Sequence, residues 1–201
     1  SVLEGTNNGT DTLSFASLAT GVTLNLTKSI VQNIHTNRTL QLNSGSVFEN
    51  IVGGSGNDVL TGNLLDNSFT GNAGNDTMTG ASGNDTYLFG PASSAEADSV
   101  LEGTNNGTDT LSFASLTTGV TLNLTKSIVQ NVHTNRTLQL NSGSTFENII
   151  GGSGDDILTG NLLNNSFTGS AGNDTLFGGS GNDTYVFGAA SVSEADIVLE
   201  G

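Results

Sequence analysis

The chain has no cysteine, no tryptophan, one proline and only 5% aromatic residues. Without cysteine it forms neither disulfides nor zinc–thiolate sites, and thiol chemistry is excluded. It also lacks an apolar run of about 18 residues, the length that a membrane-spanning helix needs, so we expect no membrane insertion. The hydrophobic fraction, 34% of 201 residues, is low for a single globular core.

Positive charge is equally scarce. Lys and Arg number 4 against 19 Asp and Glu, which gives a formal net charge of −15. This balance excludes nucleic acid as a partner, because such affinity comes mostly from cationic side chains that neutralise phosphates. Weakly hydrophobic, highly charged chains are often disordered, but those chains lack the regular apolar spacing described below. We therefore expect an ordered structure that depends on a ligand.

Glycine, in contrast, is abundant, with 28 residues. Residues 53–90 form four nine-residue units, GGSGNDVLT, GNLLDNSFT, GNAGNDTMT and GASGNDTYL, followed by FG. Asp58, Asp76 and Asp85 take the same position in their units, and Asn67 takes it in the second unit. Runs of Gly, Asn and Asp favour turns, so another partner must hold these turns together. Regularly spaced carboxylates indicate that this partner is calcium.

The whole chain is a tandem repeat. Residues 1–98 align with residues 99–196, and only 15 of the 98 positions differ. We predict a first repeat at 1–98 with its calcium block at 53–90, a second repeat at 99–196 with its block at 151–188, and the start of a third repeat at 197–201. A period this long indicates that each repeat comprises several coils of a solenoid.

The apolar positions predict the fold class. Leu60, Phe69, Met78 and Tyr87 recur every nine residues, and polar and apolar residues alternate around them as in half-buried strands. If each unit is one turn plus one short strand, 18 residues complete a coil. We predict an all-β parallel β-solenoid, or β-roll, with about five coils per 98-residue repeat. An inward row is expected to run on from Leu13 through Val22, Val31 and Leu40. Residues 18–43 either bulge out as an insertion or complete two more turns.

In this geometry Asp58 faces Asp76 one coil later, and Asn67 faces Asp85. Two stacked carboxylates repel each other, and glycine turns allow main-chain carbonyls to point toward the gap between them. Calcium takes six to eight such hard oxygen ligands at about 2.3 to 2.6 Å. We predict that calcium converts this repulsion into the contact that holds adjacent coils together.

Units such as GGSGNDVLT, GNAGNDTMT and GGSGNDTYV resemble the GGxGxDxUx repeat of RTX, or haemolysin-type, calcium-binding β-roll proteins. The resemblance implies a calcium ion held by carbonyls of both units and by the Asp of each. In the first repeat the implied ligands are Gly54, Gly56, Asp58, Gly71, Ala73 and Asp76. In the second repeat they are Gly152, Gly154, Asp156, Gly169, Ala171 and Asp174.

The opposite edge departs from the family pattern. It offers Gly80, Ser82 and Asp85, repeated as Gly178, Ser180 and Asp183. The facing unit has the neutral Asn67, repeated as Asn165, and Leu65 in place of a turn glycine. We predict a weaker or empty site there. Asp11, Glu49, Asp98 and Asp196 are either further ligands that cap a site or carboxylates that are solvated or bonded to the backbone.

The motifs do not indicate catalysis. His35 and His133 lie in HTNR, followed by Arg38 and Arg136, in what we interpret as a polar loop without a nucleophile or paired acid and base. We predict no enzymatic activity.

The sequence predicts a calcium-folded structural repeat of a large bacterial protein, extracellular or at the cell surface, acting as a stiff spacer or adhesin stalk. Its expected partners are calcium ions, neighbouring repeats of the same chain, and a surface or glycan ligand. The resemblance also implies export in an unfolded state and folding when calcium binds. The alternatives are a C-terminal folding and secretion module of an exported enzyme, and a solenoid face that binds glycan or ice.

Overall fold

A computed structural model of the chain describes residues 9–42, 47–103, 107–141, 145–188 and 193–201. The regular structure of these residues consists mainly of 20 short strands. Among them no helix has the length and apolar character needed to cross a membrane. In chain order the strands are β1 (Thr12–Ser14), β2 (Thr23–Asn25), β3 (Gln32–His35), β4 (Arg38–Leu40), β5 (Asn50–Val52), β6 (Val59–Thr61), β7 (Ser68–Thr70), β8 (Thr77–Thr79), β9 (Thr86–Leu88), β10 (Glu96–Leu101), β11 (Thr110–Ser112), β12 (Thr121–Asn123), β13 (Gln130–His133), β14 (Arg136–Leu140), β15 (Asn148–Ile150), β16 (Ile157–Thr159), β17 (Ser166–Ser170), β18 (Thr175–Phe177), β19 (Thr184–Phe187) and β20 (Ile197–Leu199).

The strands form two faces of a parallel solenoid. One face is a single eight-stranded sheet of order β1-β5-β7-β9-β11-β15-β17-β19, in which every pair is parallel. The other face contains the sheets β13-β14-β10-β8-β6-β2 and β12-β16-β18-β20. Each coil contributes one strand to each face, and Val59 of β6 pairs with Thr77 of β8, one 18-residue coil later. The all-β parallel solenoid predicted from the sequence is confirmed.

Within the described residues each repeat contains four coils and one hairpin, where the sequence predicts about five coils. In the first repeat the coils are β1/β2, β5/β6, β7/β8 and β9/β10, while β3 and β4 pair with each other in antiparallel fashion. The sequence leaves the course of residues 18–43 undecided. Over residues 18–42, which the structure describes, this segment divides between one strand of the solenoid and a hairpin.

The expectation that Val31 continues the inward row is wrong, because its side chain is 57% exposed. The buried Gln32 side chain gives the reason. Its Oε1 accepts a hydrogen bond from Asn25 N–H at 2.9 Å, and its Nε2 donates to Asn25 O at 2.8 Å. These two bonds turn the chain back on itself instead of around the coil.

The interior is a narrow core along the solenoid axis. Leu60, Phe69, Met78 and Tyr87 are at most 1% exposed, as predicted from their nine-residue spacing. The rings of Phe69 and Tyr87 stack with centroids 5.2 Å apart and planes 10° from parallel. Apolar side chains of successive coils therefore pack on one another along the axis.

With the repeat bounds predicted as 1–98 and 99–196, the boundary between the two repeats lies inside a strand. Asp98 ends the first copy and Ser99 begins the second, and both belong to β10. On one side β10 pairs with β8 of the first copy, and on the other side it pairs with β14 of the second copy. On the other face β9 pairs directly with β11. Strand pairing therefore continues across the boundary without a linker.

Candidate metal centre

The first glycine of each unit makes room for the carboxylate of the same unit. A β-carbon added at Gly53 would overlap Asp58 Oδ2, and one added at Gly71 would overlap Asp76 Oδ2. Asp58 Oδ2 also accepts a hydrogen bond from the Gly54 N–H at 2.8 Å. The Gly and Asp positions of the motif therefore depend on each other, because only glycine leaves this space next to the turn.

The aspartates of alternate units form a line that we call the first edge, comprising Asp58, Asp76 and Asp98. Asp58 Oδ1 accepts from Val22 N–H at 2.6 Å. Asp76 Oδ1 accepts from Asp58 N–H at 2.8 Å, and Asp98 Oδ1 accepts from Asp76 N–H at 3.0 Å. Asp58 and Asp76 thus lie one coil apart, as the spacing predicts. The second repeat has the same bonds among Val120, Asp156, Asp174 and Asp196.

These carboxylates are buried next to one another. Asp58, Asp76 and Asp98 are each at most 2% exposed. Burial, reinforced by the nearby Asp58 and Asp98 carboxylates, raises the pKa of Asp76 to about 7, although the hydrogen bond from Asp58 N–H opposes the shift. Burial likewise raises the pKa of Asp156 to about 7. A line of buried anions in this state is stabilised by a bound cation or by protons.

The glycines implied as carbonyl ligands lie in the turns that close these coils. A β-carbon at Gly54 would come within 2.8 Å of Leu18 O, and one at Gly56 would come within 2.5 Å of Gly21 N. Both positions therefore pack tightly against the preceding coil. The assignment of Gly54, Gly56, Gly71 and Ala73, and of their second-repeat equivalents, as ligands stays a prediction.

The line on the opposite side, which we call the second edge, runs through Asn67 and Asp85. Asp85 Oδ1 accepts from Asn67 N–H at 2.7 Å. The Asn67 side-chain Nδ2 donates to Glu49 O at 3.1 Å, so an amide hydrogen bonds across the gap to the preceding coil. Leu65 N–H donates to Asn63 Oδ1 at 2.8 Å, and this side-chain turn replaces the missing glycine. The neutral bonds of Asn67 support the prediction of a weaker or empty site there.

The second edge continues beyond the nine-residue units. Asp109 Oδ1 accepts from Asp85 N–H at 2.9 Å, and Glu147 Oε2 accepts from Asp109 N–H at 2.8 Å. The first repeat has the equivalent bond, in which Asp11 N–H donates to Glu49 Oε2 at 2.9 Å. Asp98 and Glu49 are therefore buried and bonded to the backbone, as Asp58 and Asp76 also are, so their role as further ligands stays a prediction.

Arg136 has a role that the interpretation of HTNR as a polar loop missed. Its guanidinium is buried at the copy boundary, with Nη2 2.7 Å from Glu96 Oε2 and Nη1 hydrogen bonded to Asp98 Oδ2. Nη2 also donates to Gly90 O at 3.1 Å, and the guanidinium carbon lies 5.4 Å from the centroid of the Phe89 ring. At the Asp98 end of the first edge, the positive charge beside the carboxylates is therefore the guanidinium of Arg136, a side chain of the second repeat.

The sequence signal for this role is weak. Arg136 begins an alternating segment, RTLQL, that forms β14 and pairs with β10. The same segment in the first repeat leaves Arg38 exposed.

His35 and His133 each share a hydrogen bond with a threonine hydroxyl, from Thr20 and Thr118 respectively.

Comparison with known proteins gives two matches to protein families. Residues 48–64 and 52–87 match the family described as RTX calcium-binding nonapeptide repeat (4 copies). Residues 98–198, half of the chain, match the family described as Peptidase M10 serralysin C terminal. The chain belongs to the RTX-type, serralysin C-terminal family of calcium-binding β-rolls. A comparison with curated proteins found no match.

Membership of the RTX family identifies calcium as the cofactor of this repeat module. The RTX match covers residues 53–87 of the block at 53–90, where Asp58 and Asp76 lie on the first edge. Both matches are to repeat or C-terminal regions, and neither is to a catalytic domain. The module is thus a calcium-binding repeat, as predicted.

Proposed function

We propose that this RTX module is a calcium-locked segment of a stiff spacer or adhesin stalk in a large bacterial protein, extracellular or at the cell surface. The observation that carries the proposal is the unbroken strand pairing across the copy boundary. Because Asp98 and Ser99 share strand β10, adjacent copies have no linker about which they could bend. Repeats joined in this way add length without adding joints.

Calcium supplies the control of folding in this proposal. Without it, the buried Asp58, Asp76 and Asp98 carboxylates repel each other, and the glycine-rich turns gain conformational entropy on unfolding. With it, ions between Asp58 and Asp76, and between Asp156 and Asp174, bridge adjacent coils. Extracellular calcium modules bind with dissociation constants of roughly 10⁻⁴ to 10⁻³ M, so such a segment folds after export rather than before it.

The ligand assignment is tested by replacing Asp76 with Ala. Asp66→Asn is the control, because Asp66 is an exposed aspartate in the same block and its second-repeat equivalent, Asn164, accepts the same backbone hydrogen bond. We expect Asp76→Ala to lose at least one bound calcium by isothermal titration calorimetry and to shift the calcium midpoint of the far-UV circular dichroism signal upward. Asp66→Asn should retain both values. An Asp76→Ala protein with unchanged calcium stoichiometry would refute the assignment.

Stiffness is tested by small-angle X-ray scattering on this chain and on a chain extended by two further copies, both in calcium. Four coils at about 4.8 Å predict roughly 20 Å of added length per copy. We expect the maximum dimension to rise by about twice that value, with a rod-like scattering profile. An increase well below it, with the profile of a flexible chain of beads, would contradict the spacer.

The match of residues 98–198 to a serralysin C-terminal family favours one alternative, a folding and secretion module attached to an exported enzyme. That alternative predicts a catalytic domain before this segment and few 98-residue copies in the full-length protein. The spacer predicts a long array of nearly identical copies. Sequencing of the flanking coding region distinguishes the spacer from the secretion module.

A glycan- or ice-binding face stays a separate prediction, which glycan arrays and ice-recrystallisation assays test.

A further inference from the structure

Three buried carboxylates meet where the first copy joins the second. Asp85 belongs to the last unit of the first copy, and Glu102 and Asp109 belong to the second copy. One carboxylate oxygen from each lies within 4.8 Å of the other two. All three side chains are at most 8% exposed. Glu102 is outside the nine-residue pattern, and Asp109 follows Asp85 by 24 residues instead of by 18.

The register between β8 and β10 explains why Glu102 lies in this cluster of carboxylates. β10 pairs with β8 so that Leu101 lies opposite Thr79, which places Glu102 at the position that Gly80 occupies one coil earlier. That glycine position faces the carboxylate of its unit. A β-carbon added at Gly80 would overlap three oxygen atoms, Asp85 Oδ2, Glu102 Oε1 and the Tyr87 hydroxyl. The oxygens therefore converge on the space that the glycine leaves free.

A second observation indicates that this cluster lacks a ligand. Asp85 is fully buried, and its Oδ1 accepts from Asn67 N–H, but its Oδ2 has no hydrogen-bond partner among the described residues. The Tyr87 hydroxyl is already hydrogen bonded to Glu102. An unpaired carboxylate oxygen buried beside two further carboxylates is strongly destabilising unless a bound cation or protons neutralise the group.

We propose that Asp85, Glu102 and Asp109 form a calcium site at the junction between tandem copies, with the Tyr87 hydroxyl holding Glu102 in place. An all-oxygen ligand set with three carboxylates suits calcium rather than a transition metal. The proposal extends the calcium-locked stacking proposed above to the copy boundary, and it rests on that function. It makes the junction itself calcium-dependent, since the ligands come from both copies.

The second repeat provides a natural comparison. Asp183 and Glu200 repeat Asp85 and Glu102, whereas the position equivalent to Asp109 lies past Gly201. Asp183 Oδ2 is also buried without a hydrogen-bond partner among the described residues. Within the part of the chain that the structure describes, one set of three carboxylates therefore lies at a copy junction.

Terbium emission provides a local test. The ion has nearly the size of calcium, and its luminescence is excited through a nearby tyrosine ring. The chain has two tyrosines and no tryptophan, so in a Tyr185→Phe background only Tyr87 sensitises the emission. We expect tyrosine-excited terbium emission in this protein, and its displacement by calcium. Absence of this emission at terbium concentrations that complete the circular dichroism change would overturn the proposal without any further variant.

Substitution of the ligand then identifies the site. In the same background we expect Glu102→Gln to weaken the emitting site roughly tenfold or more. The matched change Glu200→Gln and the first-edge change Asp76→Asn should leave the emission in place. If Glu102→Gln loses its far-UV signal, Asp109→Asn supplies the same comparison. Unchanged terbium affinity in a folded variant of either residue overturns the assignment.

Failure of this site is distinguishable from failure of the proposed function. If calcium still induces the far-UV β signal but tyrosine-excited emission is absent, the junction site is wrong and calcium-locked folding stands. If calcium induces no change in the far-UV signal, calcium-locked folding is wrong, and the junction site, which rests on it, is overturned as well.

Discussion

At the residue scale, the fifth position of each unit requires an acceptor rather than a charge. Asn75 N–H donates to Asn57 Oδ1 at 2.9 Å, and in the second repeat Asn173 N–H donates to Asp155 Oδ1 at 2.8 Å. Asn57 and Asp155 are equivalent positions, so an amide oxygen and a carboxylate oxygen serve the same bond. This explains why the two copies differ there, whereas Asp58 and Asp156 next to them are identical.

Ala81 has a backbone conformation that suits glycine better. Its φ is 89°, in the left-handed region, and the equivalent residue of the second repeat is Gly179 with φ 94°. An L-residue there costs about 1 to 2 kcal/mol, partly offset by the larger entropy of glycine in the unfolded chain. We predict that Ala81→Gly raises the free energy of unfolding by about 1 kcal/mol in urea titrations at saturating calcium.

The reciprocal change is the control for Ala81. Gly179→Ala should lower the free energy of unfolding by about 2 kcal/mol, since its β-carbon would come within 2.6 Å of Asn161 O. If both substitutions left the urea midpoint unchanged, the left-handed turn would not be a source of strain.

At the element scale, the hairpin of the second repeat connects that repeat to the first one. Strand β14 pairs with β10 over five residues, from Glu96 opposite Arg136 to Val100 opposite Leu140. Leu138 and Leu140 are fully buried in this contact. The hairpin therefore adds apolar contact and one buried cation to a boundary that is otherwise lined by carboxylates.

Removal of the Arg136 charge should weaken this boundary strongly. Arg136→Gln leaves Glu96 and Asp98 buried without their partner, and loss of one member of a buried ion pair costs about 3 kcal/mol or more. We predict a decrease of that size in the free energy of unfolding at saturating calcium. Arg38→Gln removes the same group from an exposed position and should change stability by less than about 0.5 kcal/mol. Equal effects of the two substitutions would show that the buried pair does not stabilise the boundary.

At the scale of the whole molecule, the fold accumulates negative charge along two edges. The formal net charge is −15, and burial raises the pKa of Asp76, Asp109 and Asp156 on these edges. Burial raises the pKa of Asp85 to about 7 and that of Glu102 to about 8, with nearby carboxylates adding to both shifts. Protons and calcium ions therefore compete for the same oxygens.

This competition predicts how stability depends on pH. The unfolded carboxyl groups titrate near pH 4, whereas Asp76, Asp85 and Asp156 titrate at about 7 in the calcium-free fold. Between these values the folded chain binds more protons than the unfolded chain, so its stability falls as pH rises. We predict that the far-UV β signal of calcium-free protein decreases from pH 5 to pH 8.

Calcium should reverse this trend, because it binds the deprotonated carboxylates. The stabilisation by saturating calcium is expected to increase from pH 5 to pH 8, and protons should be released on binding. A calcium-free far-UV β signal that rises over the same range would contradict the raised pKa values.

The sequence alone determined the local repeat. Nine-residue spacing of Leu60, Phe69, Met78 and Tyr87 predicts the inward rows, and an 18-residue coil places Asp58 against Asp76. These features follow from periodicity, because in a parallel solenoid residues one period apart must lie next to each other. The same regularity predicts calcium. Carboxylates stacked at a fixed interval require a cation in each gap, and oxygen ligands from carboxylates and main-chain carbonyls suit calcium.

The tertiary structure decided the contacts that the nine-residue period does not predict. Arg136 reaches Asp98 from 38 residues away, through a hairpin that no nine-residue spacing predicts. Glu102 enters the second edge because strand register places it where a glycine stands one coil earlier. Neither contact is periodic, so each depends on how the chain leaves and rejoins the coil. The sequence therefore predicts how coils stack within a copy, and packing at the copy boundary determines how one copy is joined to the next.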